Sequence, residues 1–526
     1  MGAFHSDLAF SGKYAVQGNY NGFEIWDISN PTKPVIANTF TCPASQNDVS
    51  VYKNLLFMSS ESTSSRQDCK FGGIQEPASE DRVRGVRIFD ISDVSKPKLI
   101  SNVQTCRGSH THTVVTQPGD NDNVYIYVSG SSGVRPAEEL KGCQDGGIDD
   151  PNSARFRLEV IKVPLAKPAT AAIVSSPRVF NGLPVAPVNP ERAALDAANR
   201  GSSAAAGQRG GGAPPAPPTG PNQCHDITVY PEMGLAGGAC GGLGLLLDIR
   251  DVANPKRIEM AGDANMSYWH SATFNNDGTK VLFSDEWGGG TQPRCRVTDK
   301  LEWGANALFT IENGKMVFKS YYKMPAPQTA TENCVAHNGS LIPIPGRDVM
   351  VQGFYQGGLT VFDWTDTAHP KEIAFFDRGP ISTERLVTGG YWSAYWYNGV
   401  IVGSEIDRGL DVFELVPGPW ISQNEIDAAK TVKMDYYNTQ DQQKFVWPAS
   451  FALAKAFVDQ LERSTGLAAA KIQSTRTALM AAERATGAAR RTALTELATQ
   501  LNSDATGSSD QAKVRKLITA VTDLAK

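Results

Sequence analysis

The clearest pattern in this chain is a short run of alternating apolar and polar positions that recurs along most of its length. Each full copy begins with Gly and reaches Asp four or five positions later, as in Gly-Phe-Glu-Ile-Trp-Asp at 22–27 and Gly-Val-Arg-Ile-Phe-Asp at 85–90. Further copies begin at Gly244 and Gly358, and weaker copies begin at Leu158, Ala307 and Gly409. A period of two residues predicts a β-strand, and the Asp, Asn and Pro residues that follow predict the turn that ends it.

Other short strands are predicted around each copy of this phrase. Two apolar runs precede it, such as 49–52 and 55–58, and a β-branched run such as Val35-Ile36 follows it. This gives about four strands per unit and seven units. Four-stranded units repeated around an axis are typical of a β-propeller. The predicted fold is therefore all-β, a seven-bladed β-propeller, with an α-helical bundle at the C-terminus.

The repeated phrase resembles the repeat of the LVIVD-repeat family, over roughly residues 5–416. Cys224-His225-Asp226, Tyr268-Trp269-His270 and Ser284-Asp285-Glu286 resemble the secreted bacterial "choice-of-anchor B"-type members of that family. The resemblance implies the propeller fold and a secreted location, and it does not specify an activity. The third and fifth units and the long insertions depart from the family pattern.

Changes of composition predict the domain boundaries. Residues 1–420 form the predicted propeller, and the Gly-, Ala- and Pro-rich stretch 182–222 is a disordered insertion between its third and fourth units. Residues 421–448 are a linker. In 449–526 apolar positions take helical spacing and Gly and Pro become rare, which predicts the bundle. This bundle is expected to be an appended packing or docking module.

Composition limits the classes of function. The chain has 526 residues, 20% of them charged, and a formal net charge of −5, which argues against nucleic acid as a partner. No window approaches 18 uninterrupted apolar residues, so no membrane span is expected. No signal peptide pattern stands at the start of this sequence.

The eight cysteines are spread singly along the predicted propeller. An even number in a loop-rich β protein favours disulfides and an oxidising compartment, and so a secreted, periplasmic or cell-surface protein. A reduced protein with scattered buried thiols is the alternative. Sequence does not determine the pairing; the preferred pairs are Cys42 with Cys106 and Cys69 with Cys143.

Six of the seven histidines lie at or near one position of the repeat, the start of a predicted inner strand. In a propeller these starts converge at one mouth of the central channel, together with the residues that end the second strand of each unit. Convergent imidazoles and carboxylates suit copper, iron, manganese or zinc. The predicted metal ligands are His112, His225, His270, His337 and Glu286. The predicted outer or pocket residues are His5, His110, Asp48, Glu61, Asp226, Asp285, Tyr355, Trp392 and Glu405.

Two other interpretations of this position remain open. In one, each His-Asp pair is a structural device that caps a strand end and was copied with the repeat. In the other, the mouth binds a small molecule or glycan without metal, using the aromatic residues near the same hairpins: Trp269, Trp287, Tyr355, Tyr391, Trp392, Tyr395 and Trp396.

The preferred function is an extracytoplasmic metal-binding propeller whose axial site supports oxidative or hydrolytic chemistry. The alternative is a non-catalytic scaffold at the cell surface or in the periplasm. In that case the propeller face, the Gly- and Pro-rich loop and the helical tail bind proteins or glycans.

Overall fold

The computed structural model describes residues 4–191, 193–194 and 219–526, and in them the strands form six sheets with mainly antiparallel pairing. Most of the central part of the predicted insertion, 182–222, lies outside the described residues. The first three groups of strands are β1 (His5–Ser11), β2 (Tyr14–Asn19), β3 (Gly22–Asp27) and β4 (Val35–Thr41); β5 (Val49–Tyr52), β6 (Leu55–Ser60), β7 (Gly85–Asp90) and β8 (Lys98–Gln104); and β9 (Thr113–Val115), β10 (Asn123–Val128), β11 (Glu159–Pro164) and β12 (Ala172–Ser175).

The next groups continue the same order of strands. They are β13 (Ile227–Tyr230), β14 (Leu235–Cys240), β15 (Leu243–Asp248) and β16 (Lys256–Gly262); β17 (Trp269–Phe274), β18 (Lys280–Asp285), β19 (Asn306–Glu312) and β20 (Lys315–Tyr322); β21 (Asn338–Ile342), β22 (Val349–Gly353), β23 (Leu359–Asp363) and β24 (Lys371–Phe376); and β25 (Tyr391–Tyr397), β26 (Val400–Glu405) and β27 (Gly409–Phe413). The last two groups form one seven-stranded sheet, because β21 pairs with β25 in parallel.

The first strands of these groups surround a common axis. β1, β5, β9, β13, β17, β21 and β25 contact one another in this order, and β25 returns to contact β1. The predicted β-rich fold is confirmed as a propeller-like arrangement of antiparallel sheets. Six sheets do not establish seven blades, so that count stays a prediction.

The structure explains the residues at the two ends of the repeated sequence, the Gly that begins it and the Asp that ends it. Gly22 and Gly85 begin the third strands with φ of 147° and 150°. A Cβ atom there would lie 1.9 and 2.1 Å from the carbonyl oxygens of Phe40 and Val103 on the fourth strands. At the other end, Asp27 accepts hydrogen bonds from the amide and hydroxyl of Ser29, at 3.0 and 2.6 Å, which ends the strand in an Asx turn.

Four disulfides close loops along the groups of strands. The pairs are Cys42–Cys69, Cys106–Cys143, Cys224–Cys240 and Cys295–Cys334. The predicted pairs Cys42–Cys106 and Cys69–Cys143 are therefore wrong. The bridged positions are 16 to 39 residues apart. Cys42–Cys69 and Cys106–Cys143 each join the end of one group of strands to an insertion of the next group, rather than joining neighbouring groups at equivalent positions. Four disulfides indicate an oxidising, extracytoplasmic compartment.

The C-terminal region is helical, as predicted. Its helices are α1 (Gln423–Thr431), α2 (Phe451–Arg463), α3 (Ala469–Arg484), α4 (Gly487–Ala505) and α5 (Gln511–Leu524). Buried Glu425 in α1 pairs with Arg347, which follows β21, and with Arg463 of α2, at 2.8 and 2.6 Å. These ion pairs connect the helices to the sheets. No helix in the described part of the chain has the length and apolar character needed to span a bilayer.

The segment predicted as a linker, 421–448, contains α1 and a further strand, β28 (Tyr436–Asn438), which pairs with β1. The chain then continues across the C-terminal parts of the inner strands. We call residues 436–445 the crossing segment. It places the Asn438 side chain on Val51 of β5, the Gln440 backbone on Val229 of β13, and the Gln442 side chain on Phe274 of β17. The predicted domain boundaries themselves stay predictions.

Candidate metal centre

The starts of neighbouring inner strands bring four imidazoles into one row. His110 lies shortly before β9, His225 shortly before β13, His270 within β17 and His337 directly before β21. Their ring centroids are 4.5 Å apart from His110 to His225, 3.9 Å from His225 to His270, and 4.1 Å from His270 to His337. The repeat therefore places histidines that are far apart in sequence side by side at one end of the ring of inner strands.

Glu286 lies directly after β18 and faces two of these rings. Its Oε2 is 3.8 Å from Nε2 of His270, and its Oε1 is 3.6 Å from Nε2 of His337. The phenol of Tyr355 donates a hydrogen bond of 2.5 Å to Oε1. The carboxylate is therefore oriented towards the histidine row by a buried tyrosine.

His225, His270 and Glu286 have the arrangement of a metal site. Each offers one ligand atom, and these atoms lie within 4.8 Å of one another. Both ring nitrogens of His270 are buried and have no hydrogen-bond partner. Buried polar atoms normally have partners, so two orphan nitrogens on one imidazole need an explanation. Two imidazoles and one carboxylate are a donor set that zinc, iron, manganese and copper accept.

Carboxylates also contact the far nitrogens of the imidazoles. Nδ1 of His225 lies 2.9 Å from Oδ1 of Asp226, and Nδ1 of His110 lies 2.6 Å from Oε1 of Glu61. A carboxylate at the second ring nitrogen fixes the tautomer and orientation of a metal-binding histidine. His337 differs, because its Nδ1 bonds to the carbonyl oxygen of Trp392.

Burial and neighbouring charges shift the pKa values of the histidines in the row in different directions. Burial and the adjacent imidazoles hold the pKa of His270 well below its ordinary value. Burial also lowers the pKa of His337, although Glu286 opposes this effect. At His225 burial opposes the positive charge, but Asp226 outweighs it and the pKa is raised. His270 and His337 are therefore neutral near pH 7, the form in which imidazole binds metals.

A cavity of about 430 Å³ opens directly above the cluster. The side chains of Phe4 and Tyr20 stand at its rim with 54% and 44% of their surface exposed. This volume is in the range of small-molecule sites. A ligand in the cavity would contact the imidazoles and Glu286 directly. The lining residues are Phe4, Tyr20, Gln46, His110, His225, Tyr268, Glu286, Gly289, Thr291, His337, Tyr355, Thr388, Trp392 and Ile406.

Two predicted site residues form a separate buried pair. His112 is buried, with Nδ1 2.8 Å from the hydroxyl of Ser59 and 3.5 Å from Oδ2 of Asp48. It lies outside the group formed by His225, His270 and Glu286. Burial lowers the pKa of His112 to about 3.

Three other predicted residues have structural contacts instead. His5 bonds to the carbonyl oxygen of Ile406 at 3.1 Å, away from the row. Asp285 accepts hydrogen bonds from three backbone amides, at 267, 268 and 304. Glu405 accepts hydrogen bonds from two further backbone amides, at 407 and 408.

The aromatic residues predicted at the mouth divide into two groups. Tyr355 and Trp392 line the cavity. The remaining five are buried among the sheets, and they do not line the cavity: Trp269, Trp287, Tyr391, Tyr395 and Trp396.

Sequence reasoning missed Gln46 and Gln440. Gln46 precedes the predicted position Asn47-Asp48, and its amide nitrogen lies 3.0 Å from Nε2 of His110. A wider window around each strand start would have included it. Gln440 lies against Asp226 from the crossing segment, and no local signal points to it, because it is distant in sequence from every repeat.

Comparison with known proteins supports the repeat family. Residues 5–41 and 81–105 match the LVIVD repeat. These stretches correspond to β1–β4 and to β7–β8, so the chain is a propeller-like protein that carries LVIVD repeats. The likeness to the choice-of-anchor B type stays a prediction. No curated protein is significantly similar to this chain.

Two solved structures resemble the chain at low identity. The periplasmic gluconolactonase PpgL of Pseudomonas aeruginosa is 11% identical, with a TM-score of 0.46, over 84% of this chain and 98% of that chain. Sqt1 of Saccharomyces cerevisiae is 11% identical, with a TM-score of 0.41, over 78% of this chain and 84% of that chain. Likenesses at this level indicate nothing about the activity of this chain.

Proposed function

We propose that this chain is an extracytoplasmic seven-bladed β-propeller that binds a transition-metal ion at its axis and acts there on a small molecule. His225, His270 and Glu286 hold the ion, and the cavity above them holds the ligand. The propeller spans 1–420, with 421–448 as a connecting segment and 449–526 as a helical docking module. Its location is secreted, periplasmic or cell-surface.

The observation that carries this proposal is His270. An imidazole buried without a partner at either nitrogen costs free energy that folding alone does not recover. A metal ion near Nε2 of His270 and Oε2 of Glu286, which are 3.8 Å apart, would satisfy these two atoms after a small adjustment, while Nδ1 of His270 faces Oδ2 of Asp226 at 4.0 Å. A purely structural His-Asp device would instead use the ring nitrogens in hydrogen bonds, as His5 does.

The open side of the cluster favours chemistry over a closed structural site. Closed structural sites leave no position for water or substrate, whereas catalytic sites keep one. Here the cluster borders a cavity lined by Tyr355, Trp392 and Tyr268. A divalent ion at this position supplies Lewis acidity or redox chemistry, and its identity decides between a hydrolase and an oxidoreductase.

The test is elemental analysis of protein purified without a His-tag, followed by titration of chelator-treated protein with Zn²⁺. We expect about one equivalent of metal in the wild-type protein, and at least a hundredfold weaker Zn²⁺ binding in His270→Ala. His369→Ala is the matched control, because His369 is exposed and paired with Asp366 on an outer turn. Equal binding by the wild-type protein and His270→Ala would exclude this site.

A second candidate function is a binding scaffold without metal. The exposed aromatic rim formed by Phe4 and Tyr20 favours it, because exposed rings provide contact area for a glycan or peptide. Wild-type protein that takes up no Zn²⁺, Cu²⁺, Fe²⁺ or Mn²⁺ would make the scaffold the better explanation. Tyr20→Ala would then weaken ligand binding while leaving the fold intact.

A further inference from the structure

His110 and His225 form an unusual contact at the edge of the candidate metal centre. Their Nε2 atoms are 2.8 Å apart, and the two rings meet edge to face. Each ring belongs to a different group of strands, so the contact is made only by the tertiary structure. Neither ring is fully exposed, and both line the cavity.

The partners at the opposite nitrogens determine which atoms carry protons. Nδ1 of His110 faces Glu61 at 2.6 Å, and Nδ1 of His225 faces Asp226 at 2.9 Å. An ionised carboxylate only accepts hydrogen bonds, so both Nδ1 atoms carry hydrogen. In a neutral imidazole the other nitrogen, Nε2, then has a lone pair. When both rings are neutral, two lone pairs therefore face each other across 2.8 Å.

Such a contact is repulsive unless a cation lies at it. Either one ring is protonated and shares that proton with the other, or a metal ion accepts both lone pairs. The amide nitrogen of Gln46, 3.0 Å from Nε2 of His110, is in keeping with a lone pair at that atom. His225 already belongs to the group that includes His270 and Glu286. His110 lies outside that group, so its ring must shift towards the ion in order to share it.

We infer that His110 is a fourth ligand, so that one metal ion is held by His110, His225, His270 and Glu286. This inference rests on the proposed function. Glu61 and Asp226 then act as matched positioning residues, each holding one imidazole with Nε2 towards the ion. Ser131 in turn donates a hydrogen bond of 2.7 Å to Glu61, which fixes that carboxylate. Three imidazoles and one carboxylate favour zinc, cobalt or copper over calcium or magnesium.

The first experiment titrates chelator-treated protein with Co²⁺ and follows its visible d–d absorption. His110→Ala should weaken Co²⁺ binding at least about thirtyfold and change the absorption bands, because a ligand is lost. Glu61→Gln should weaken binding roughly tenfold and keep the bands, as expected for a positioning residue. His369→Ala, on the outer turn, should change neither.

The second experiment does not depend on the folding of His110→Ala. Pulsed EPR of the wild-type protein loaded with one equivalent of Cu²⁺ counts the coordinated imidazoles. Three imidazoles, in the wild-type protein and in His337→Ala alike, support the inference, because Nε2 of His337 lies 3.6 Å from Glu286 and is the other candidate for the third imidazole. Two imidazoles, or wild-type Co²⁺ affinity and bands in a folded His110→Ala, would overturn it and assign a shared proton to the pair. Wild-type protein that binds neither Co²⁺ nor Cu²⁺ would instead overturn the proposed function and the inference together.

Discussion

The two ends of the ring of inner strands differ in the hydrogen bonding of their polar side chains. We call the end with the imidazole row the open end and the end covered by the crossing segment the closed end. At one end, His270 is buried with both ring nitrogens unpartnered. At the other end, the crossing segment pairs the side-chain amides of Asn438 and Gln442 with strand backbone, whereas both amide atoms of Gln440 lack a hydrogen-bond partner. Asn438 bonds to both the amide and the carbonyl of Val51, at 2.7 and 2.8 Å, and Gln442 does the same for Phe274, at 2.9 Å each.

This difference distinguishes polar side chains that stabilise the fold from polar side chains that are placed to bind a ligand. An Asn or Gln side chain has the donor and acceptor of a peptide group, so it can close an inner strand edge without leaving buried polar atoms unsatisfied. At the imidazole end His270 has the same need, and neither of its ring nitrogens has a hydrogen-bond partner. Folding alone gains nothing from that arrangement, whereas a bound cation would gain from it.

The two ends meet at Asp226. This carboxylate bonds to Nδ1 of His225, and Gln440 of the crossing segment lies against it. Burial opposes its negative charge, yet His225 holds the pKa of Asp226 below its ordinary value. The crossing segment therefore contacts the carboxylate that orients His225. A substitution that disrupts the crossing segment should disturb the imidazole row through Asp226.

The largest expected effect comes from removing a backbone-pairing amide at the closed end. Asn438→Ala leaves the amide and carbonyl of Val51 buried without partners, which should lower the free energy of unfolding by about 3 kcal/mol. Urea denaturation measures this value. Asn502→Ala, at an exposed position in α4, is the control and should change it by less than about 0.5 kcal/mol. A loss below about 1 kcal/mol in Asn438→Ala would show that the crossing segment does not close the strands.

A comparable effect should follow from acidification through buried His112. Its pKa is about 3 in the folded protein, against an ordinary value of 6.5, because burial disfavours its charged form. Below pH 6.5 the unfolded chain therefore binds a proton that the folded chain does not. This difference should remove about 3 kcal/mol of stability between pH 6.5 and pH 4.

Buried Asp48, near His112, has a raised pKa and contributes with the opposite sign, so the measurement must be a difference. We expect the stability of His112→Phe to fall less steeply over pH 6.5 to 4 than that of the wild-type protein, both without metal. If the free energies of unfolding of the two proteins depend on pH in the same way, His112 is not held in its neutral form in the folded state.

The smallest expected change in stability comes from replacing His270, and its sign distinguishes a metal ligand from a structural residue. In chelator-treated protein, His270→Leu should be as stable as the wild-type protein or more stable by about 1 kcal/mol, because it removes two unsatisfied buried nitrogens. With saturating Zn²⁺ the order should reverse, since only the wild-type protein gains stability from binding. Thermal unfolding with and without Zn²⁺ measures both. Marked destabilisation of the metal-free variant would place His270 among the structural residues.

The repeat made much of this molecule predictable from local chemistry. The alternation of apolar and polar positions, the Gly at 22 and 85 and the Asp-x-Ser turns each act within one hairpin, so they are readable in the sequence. The position of the histidines at one end also followed, because equivalent positions of a repeat meet around an axis. The disulfide pairs did not follow, since eight single cysteines carry no spacing that favours one partner.

The sequence by itself determined the strands, the helical tail and the convergence of the histidines, because these depend on periodicity and on repetition of one unit. Only the tertiary structure decided which imidazoles are paired and which are orphaned. His5, His112 and His270 occupy similar repeat positions, yet one bonds to a carbonyl, one to a serine hydroxyl and one to nothing. That distinction depends on contacts between groups of strands and on the crossing segment. Those contacts join residues hundreds of positions apart, and no local pattern encodes them.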